Sequence, residues 1–189
     1  WDEKSYRDGV DIGVEEFYEA LSKSKSIPTT SQTPVNVFDE LFRKLLDEDY
    51  AVFAMLISSG ISGTLESALQ AKTNFPDAPL EVMDTKLVSM ALGFLVLTVA
   101  RAAKAGANLE ECVDLAEQTY PKIGVYFTVD TLKYLNKGGR INTASRLLGA
   151  ALDIKPIMEI RDGKIELVES VRSRKKSLQR MLDLVDRDI

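Results

Sequence analysis

The sequence predicts an α/β chain: a parallel-sheet N-terminal domain, then part of a second α+β domain that opens with an antiparallel hairpin. Three observations carry that reading. Apolar runs of strand length alternate with helix-length amphipathic segments, the pattern of strand–helix–strand units. The first such run, residues 50–57, is nearly continuous in apolar residues, which fits a parallel strand covered on both faces. After Thr131 the texture changes: residues 155–160 and 164–171 flank Arg161-Asp162-Gly163, where Asp-Gly marks a hairpin because a type I′ turn needs positive φ. The expected boundary lies between residues 140 and 155, giving domains over 1–144 and 145–189. The second is expected to be truncated, because a hairpin and one helix make a poor core.

The elements follow in order. Trp1 stands first in place of Met, and residues 2–13 read like the middle of a longer polypeptide, polar and expected as loop or edge structure. Residues 14–22 place Phe17, Tyr18 and Leu21 on one helical face. Pro28 and Pro34 bracket Thr29-Thr30-Ser31-Gln32-Thr33, and no helix survives both. The next helix runs from a cap at Thr33 or Asn36 to about Asp47, with Val37, Phe38, Leu41, Phe42 and Leu45 as its buried stripe. The strand over 50–57 leads through a hydroxyl-rich loop to a helix over 65–73. Residues 80–83 form a second strand ending at Asp84-Thr85. A long apolar helix covers 89–105 and stops at Gly106; an amphipathic helix covers 108–118; a third strand is expected within 122–129. Residues 132–136 make a short helical piece stopped by Gly138-Gly139, another helix runs from Asn142 or Thr143 to about Leu152, and residues 177–185 are helical.

Composition excludes several functions. The net charge is −5 and the only concentrated basic segment is residues 172–176, so the chain lacks the Lys/Arg face that nucleic acid requires. There is no histidine, which removes Ser-His-Asp and Cys-His catalysis and most zinc sites. The acidic residues lack metal-loop spacing, so neither a metal nor a cofactor is expected. Cys112 is the single cysteine; it forbids an intrachain disulfide and fits a reducing cytoplasm. The longest apolar segment, residues 90–103, is too short to span a bilayer.

Four segments carry candidate chemistry. The loop Ser58-Ser59-Gly60-Ile61-Ser62-Gly63-Thr64 sits between a strand and a helix, where hydroxyls and helix N–H groups meet anions. It reads equally as a helix cap at Ser62 with a tight turn, and it lacks the Gly-Lys of a nucleotide loop. Thr30 and Ser31 lie in a polar turn between prolines. Arg140 follows a double glycine and offers a planar fork to carboxylate or phosphate, or simply a solvated cation at a helix stop. Arg172 and Arg174-Lys175-Lys176 form a cationic cluster, a solvated face or a docking point for an acidic partner or anionic membrane surface. On residues alone, an α/β enzyme or sensor binding a small phosphorylated metabolite at the 58–64 loop remains open, as does a structural interaction domain.

In this order the segments resemble the DegV family, fatty-acid-binding proteins that serve as acyl-carrying subunits of bacterial fatty acid kinase. The matching pieces are Asp8-Gly9-Val10-Asp11-Ile12 with Phe17-Tyr18, Thr30-Ser31-Gln32, Ile57 to Thr64, Asp84-Thr85 with Ser89-Met90-Ala91-Leu92-Gly93, Tyr134 to Ile141, Ile154-Lys155-Pro156-Ile157, and Asp162-Gly163 followed by Val171-Arg172. The resemblance implies a DegV-like parallel sheet and a long-chain fatty acid as ligand. It implies a carboxylate held by Thr30 and Ser62, with Ser31, Gly63, Thr64 and Arg140 at the head-group end. The acyl chain would run into an apolar tunnel between the domains. The protein would be no enzyme itself: an ATP-binding kinase subunit would phosphorylate the presented acid, feeding phospholipid metabolism. Arg172, with Arg174 beside it, matches a position implicated in the kinase and membrane encounter. The chain departs from the family where the proline after Thr-Ser-Gln is displaced to Pro34, and in lacking a first strand with Thr-Asp-Ser and a later histidine-bearing segment.

Overall fold

The computed structural model describes residues 1, 4–149 and 154–188. Its first sheet is a parallel pair, β1 (Val52–Leu56) and β2 (Leu80–Asp84), in register from Val52 beside Leu80 to Leu56 beside Asp84. Both faces are covered, which is why the run is apolar at consecutive positions. On one face α2 (Val35–Asp47) and α3 (Thr64–Lys72) bring Phe38, Phe42, Ala68 and Ala71 against Ala54, Leu56 and Val82. On the other, α4 (Ser89–Lys104) and α5 (Leu109–Thr119) bring Leu95, Val99, Cys112 and Ala116 against Phe53, Met55 and Met83. Cys112 is thus a buried core residue. Asn108 and Glu111 close a reciprocal capping box at the start of α5.

The second sheet is antiparallel, in the order β3 (Tyr126–Thr128), β4 (Lys155–Arg161), β5 (Lys164–Val171). The strand expected within 122–129 is therefore only three residues long, and it pairs with the hairpin rather than with the parallel pair. Pro121 lies in a 3-10 turn, Tyr120–Lys122, which shortens it, and Phe127 packs with Met158, Ile160 and Leu167 in a third core. The hairpin turn is as the Asp-Gly signal asks: Asp162 has φ 49° and Gly163 φ 77°. The opposite face of this sheet is covered by α7 (Arg174–Asp188), through buried Leu184 and Ser177 and an Arg180–Glu169 ion pair of 2.7 Å.

Expectations for three helices are corrected. The buried stripe of α2 is Phe38 and Phe42 with Val35, Leu45 and Leu46 beside them; Val37 and Leu41 face solvent. The helix starts at Val35 rather than at Asn36, with Pro34 as its N-cap residue and no side-chain cap, so neither Thr33 nor Asn36 caps it. The α1 helix (Val14–Lys23) fully buries no residue, and Tyr18 is exposed. After α6 (Lys133–Lys137), the helix expected from residue 142 is a 3-10 segment, Asn142–Leu147; its expected end near Leu152 lies outside the described residues.

Candidate functional site

The 58–64 loop leaves β1 and enters α3, and four parts of the chain close on it. Its hydroxyls divide by role. Ser58 is fully buried; its Oγ donates to the Gly163 carbonyl at 2.6 Å and accepts the Gly60 N–H at 3.1 Å. Ser59 turns the other way, and its N–H and Oγ both reach the Asp84 carboxylate, at 3.2 and 2.5 Å. That same carboxylate accepts the Lys86 N–H at 3.0 Å, so Asp84 ties the loops after β1 and β2 together. Only Ser62 keeps its hydroxyl at the helix entrance. Its Oγ lies 2.8 Å from Thr64 Oγ1 and accepts the Thr64 N–H at 3.3 Å.

The cap and the ligand readings of Ser62 are chemically compatible. A hydroxyl carries one proton and two lone pairs. The Thr64 N–H donates to Ser62 Oγ and either hydroxyl can donate to the other, so when the Thr64 O–H donates the Ser62 proton is free for a ligand. Gly63, the N-cap residue of α3, carries no capping side chain, so past the Thr64 N–H held by Ser62 the first turn keeps the positive end of the helix dipole open to an anion.

Two residues approach from outside. The Gly138-Gly139 stop of α6, with Gly139 at φ 74°, turns the chain so that Arg140 folds back on the loop. Its Nε donates to the Ile61 carbonyl at 2.9 Å and its Nη1 to the Gly138 carbonyl at 2.5 Å. The side chain is otherwise exposed. Ile61 itself packs into the third core, so the loop is anchored in both halves of the molecule. On the other side, Gln32 Nε2 donates to the buried Ser67 Oγ at 2.9 Å, across the first turn of α3. Thr30 and Ser31, both exposed, precede Gln32 in the chain.

The structure thus brings Ser62, Gly63, Thr64 and Arg140 together, with Gln32 on the far side of the helix start; of Thr30 and Ser31 it shows exposed residues next to Gln32 in the chain. Arg172 and Arg174 lie elsewhere, at the junction of β5 and α7, where Arg174 pairs loosely with Asp130 at 3.8 Å. Sequence reasoning did not single out Ser58, Asp84 or Gln32 as the residues that hold the loop. All three stand within the motifs named above, yet their partners lie 105, 25 and 35 positions away. The arrangement offers neutral donors and one cation, with no basic imidazole. No cluster of metal-ligating side chains occurs among the described residues. An open cleft of about 320 Å³, lined by Glu81, Leu109, Glu110, Val113 and Asp114, involves none of these residues. Among the described residues no helix is long and apolar enough to cross a membrane.

The fold and the loop define an α/β protein in which the turn after a parallel strand is braced by a second, antiparallel sheet. The family model described as uncharacterised protein, DegV family, matches residues 1–189, and the chain belongs to that family. A DegV domain-containing protein of Caldanaerobacter subterraneus subsp. tengcongensis is 38% identical over 182 residues, 96% of this chain and 65% of its own. A fatty acid binding DegV family protein from Streptococcus agalactiae is 31% identical with a TM-score of 0.91, covering 99% of this chain and 67% of its own. A stearic acid-binding protein from Eubacterium ventriosum is 29% identical with a TM-score of 0.90, covering 99% and 66%. The chain spans about two thirds of the length of such relatives.

Proposed function

We propose that this protein binds a long-chain fatty acid and presents it, in the cytoplasm, to an ATP-binding kinase partner that phosphorylates the carboxylate. Thr30 and Ser62 donate to that carboxylate, with Ser31, Gly63, Thr64 and Arg140 around it. The acyl chain occupies an apolar tunnel. Arg172 and Arg174 meet the kinase or, transiently, a membrane surface. The observation that carries the reading is the Ser62–Thr64 hydroxyl pair at the uncapped start of α3, in a chain whose solved relatives include fatty acid binders.

The energetics suit this ligand. Each buried CH₂ contributes about 0.8 kcal/mol, so a long tail supplies most of the affinity. A carboxylate in the same site costs several kcal/mol unless it is hydrogen-bonded. Hydroxyls and N–H groups satisfy it without a full counter-charge, leaving an oxygen for phosphoryl transfer. Mass spectrometry of the denatured protein, purified from bacteria, is expected to show co-purified fatty acid. A phosphorylated metabolite in its place, or no acid in the full-length protein, overturns the reading. The Ser62→Ala, Thr30→Ala double variant is expected to weaken oleate binding by about 1.5–3 kcal/mol per lost hydrogen bond to charge, read by calorimetry.

A further inference from the structure

Residues 29–33 have no regular structure and lie between two prolines. Among the described residues, no backbone hydrogen bond ties them to a strand or helix, and Gln32 makes the side-chain hydrogen bond that leads from them to the rest of the molecule. Its Nε2 reaches Ser67 on α3 at 2.9 Å. Its Oε1 rests against Gly63 so closely that a Cβ built there would lie 1.9 Å from it, and 2.7 Å from Cδ. Gly63 has φ −75°, a backbone any residue adopts, so conformation does not require glycine there. A side chain at this position would displace the end of Gln32 from the place it occupies.

We infer that Gln32 is the positioning residue of the site: its side chain, laid over Gly63 and bonded to Ser67, fixes Thr30 against the entrance of α3. This rests on the fatty acid reading above and adds to it the part that sets the geometry of one of its two carboxylate donors. A short extended segment without ladder bonds loses its ordering entropy only against such contacts. Gln32 supplies the contact at the first turn of the helix whose entrance the ligand faces. Gly63 then acts by omission: a methyl group at that position evicts Gln32 while leaving every donor of the site in the chain.

The test is a double-mutant cycle on the full-length protein with oleate as the probe, together with NMR backbone order parameters of the ligand-free protein. Gln32→Ala and Gly63→Ala are each expected to weaken oleate about tenfold and to lower the order parameters of residues 29–33. Combined, they are expected to cost no more than either alone, because both remove one contact. In a Thr30→Ala background, Gln32→Ala is expected to lose its effect on oleate. A merely structural role would leave that effect in place. Additive losses, unchanged order parameters in 29–33, or a Gln32→Ala effect that survives Thr30→Ala would each overturn the inference. Wild-type protein that binds no oleate overturns the fatty acid reading itself. The relaxation arm, which needs no ligand, then still shows whether Gln32 holds the segment, so the two failures are separable.

Discussion

The two sheets flanking the 58–64 loop solve the same problem in opposite ways. The parallel pair is thin but covered on both faces, so β1 reads as a block of apolar residues, Val-Phe-Ala-Met-Leu. The antiparallel sheet buries one face in the third core and lets Glu159, Glu166 and Glu169 into the other, beneath α7 and around it. Its strands mix apolar and acidic residues accordingly. The difference teaches where each half can tolerate change. A parallel strand has no solvent face to spare, whereas half of β5 is already polar.

The largest effect expected from that contrast is in the parallel pair. Leu80, 1% exposed at the start of β2, should cost about 3 kcal/mol when cut to alanine, by urea unfolding. Leu167, only half-buried in the other sheet, should cost about 1 kcal/mol. Equal losses would break the comparison. At the seam between the sheets, a Cβ on Gly60 would lie 2.4 Å from the Gly163 carbonyl oxygen. Gly60→Ala is therefore expected to destabilise by about 2 kcal/mol, since backbone cannot step aside as a side chain can. Ser58→Ala should cost about 1–2 kcal/mol by stranding that buried carbonyl. Ser62→Ala, losing only a helix-entrance bond, should cost about 0.5–1 kcal/mol in stability. A Ser62 loss larger than the Ser58 loss would reverse the division of roles within the loop.

Much of the architecture was legible in the chain. The continuous run of β1, the Asp-Gly turn and the Gly-Gly stop before Arg140 are local signals, and each stands where the pattern put it. What was not legible depended on distant partners. Residues 122–129 hold apolar residues enough for a parallel strand, and nothing nearby says that Phe127 will choose the hairpin's core instead. Likewise Ser58, Ser59 and Ser62 are indistinguishable by type. Gly163, Asp84 and Thr64 assign their roles, and two of those three are far away in sequence. Val37 and Leu41 fall outside the buried stripe because α2 packs through Val35, Phe38, Phe42, Leu45 and Leu46, which keeps Phe38, Phe42 and Leu45 of the expected face and leaves its edge to solvent.

The smallest expected effect lies outside both sheets. The Arg7 guanidinium and backbone N–H both bond Asp11, holding its carboxyl down from 3.8 to about 2. A depressed folded-state pKa stabilises above the unfolded value and is lost as pH falls through the folded one, so this contribution should fade between about pH 4 and pH 2. The pair is fully exposed, so the effect on unfolding should be slight. NMR titration of Asp11 should nonetheless place its midpoint near 2, and a midpoint near 4 would show the pair to be broken in solution.

The bond from Ser58 to Gly163 joins residues 105 positions apart, and it has a consequence in time as well as in space. Closing so long a loop is entropically costly until both ends are already shaped: β1 by its pairing with β2, the hairpin by its own turn. The 58–64 loop is therefore expected to settle after the two sheets have formed. Ser58→Ala should then speed unfolding and leave the folding rate almost unchanged, a kinetic phi-value near zero in a denaturant chevron.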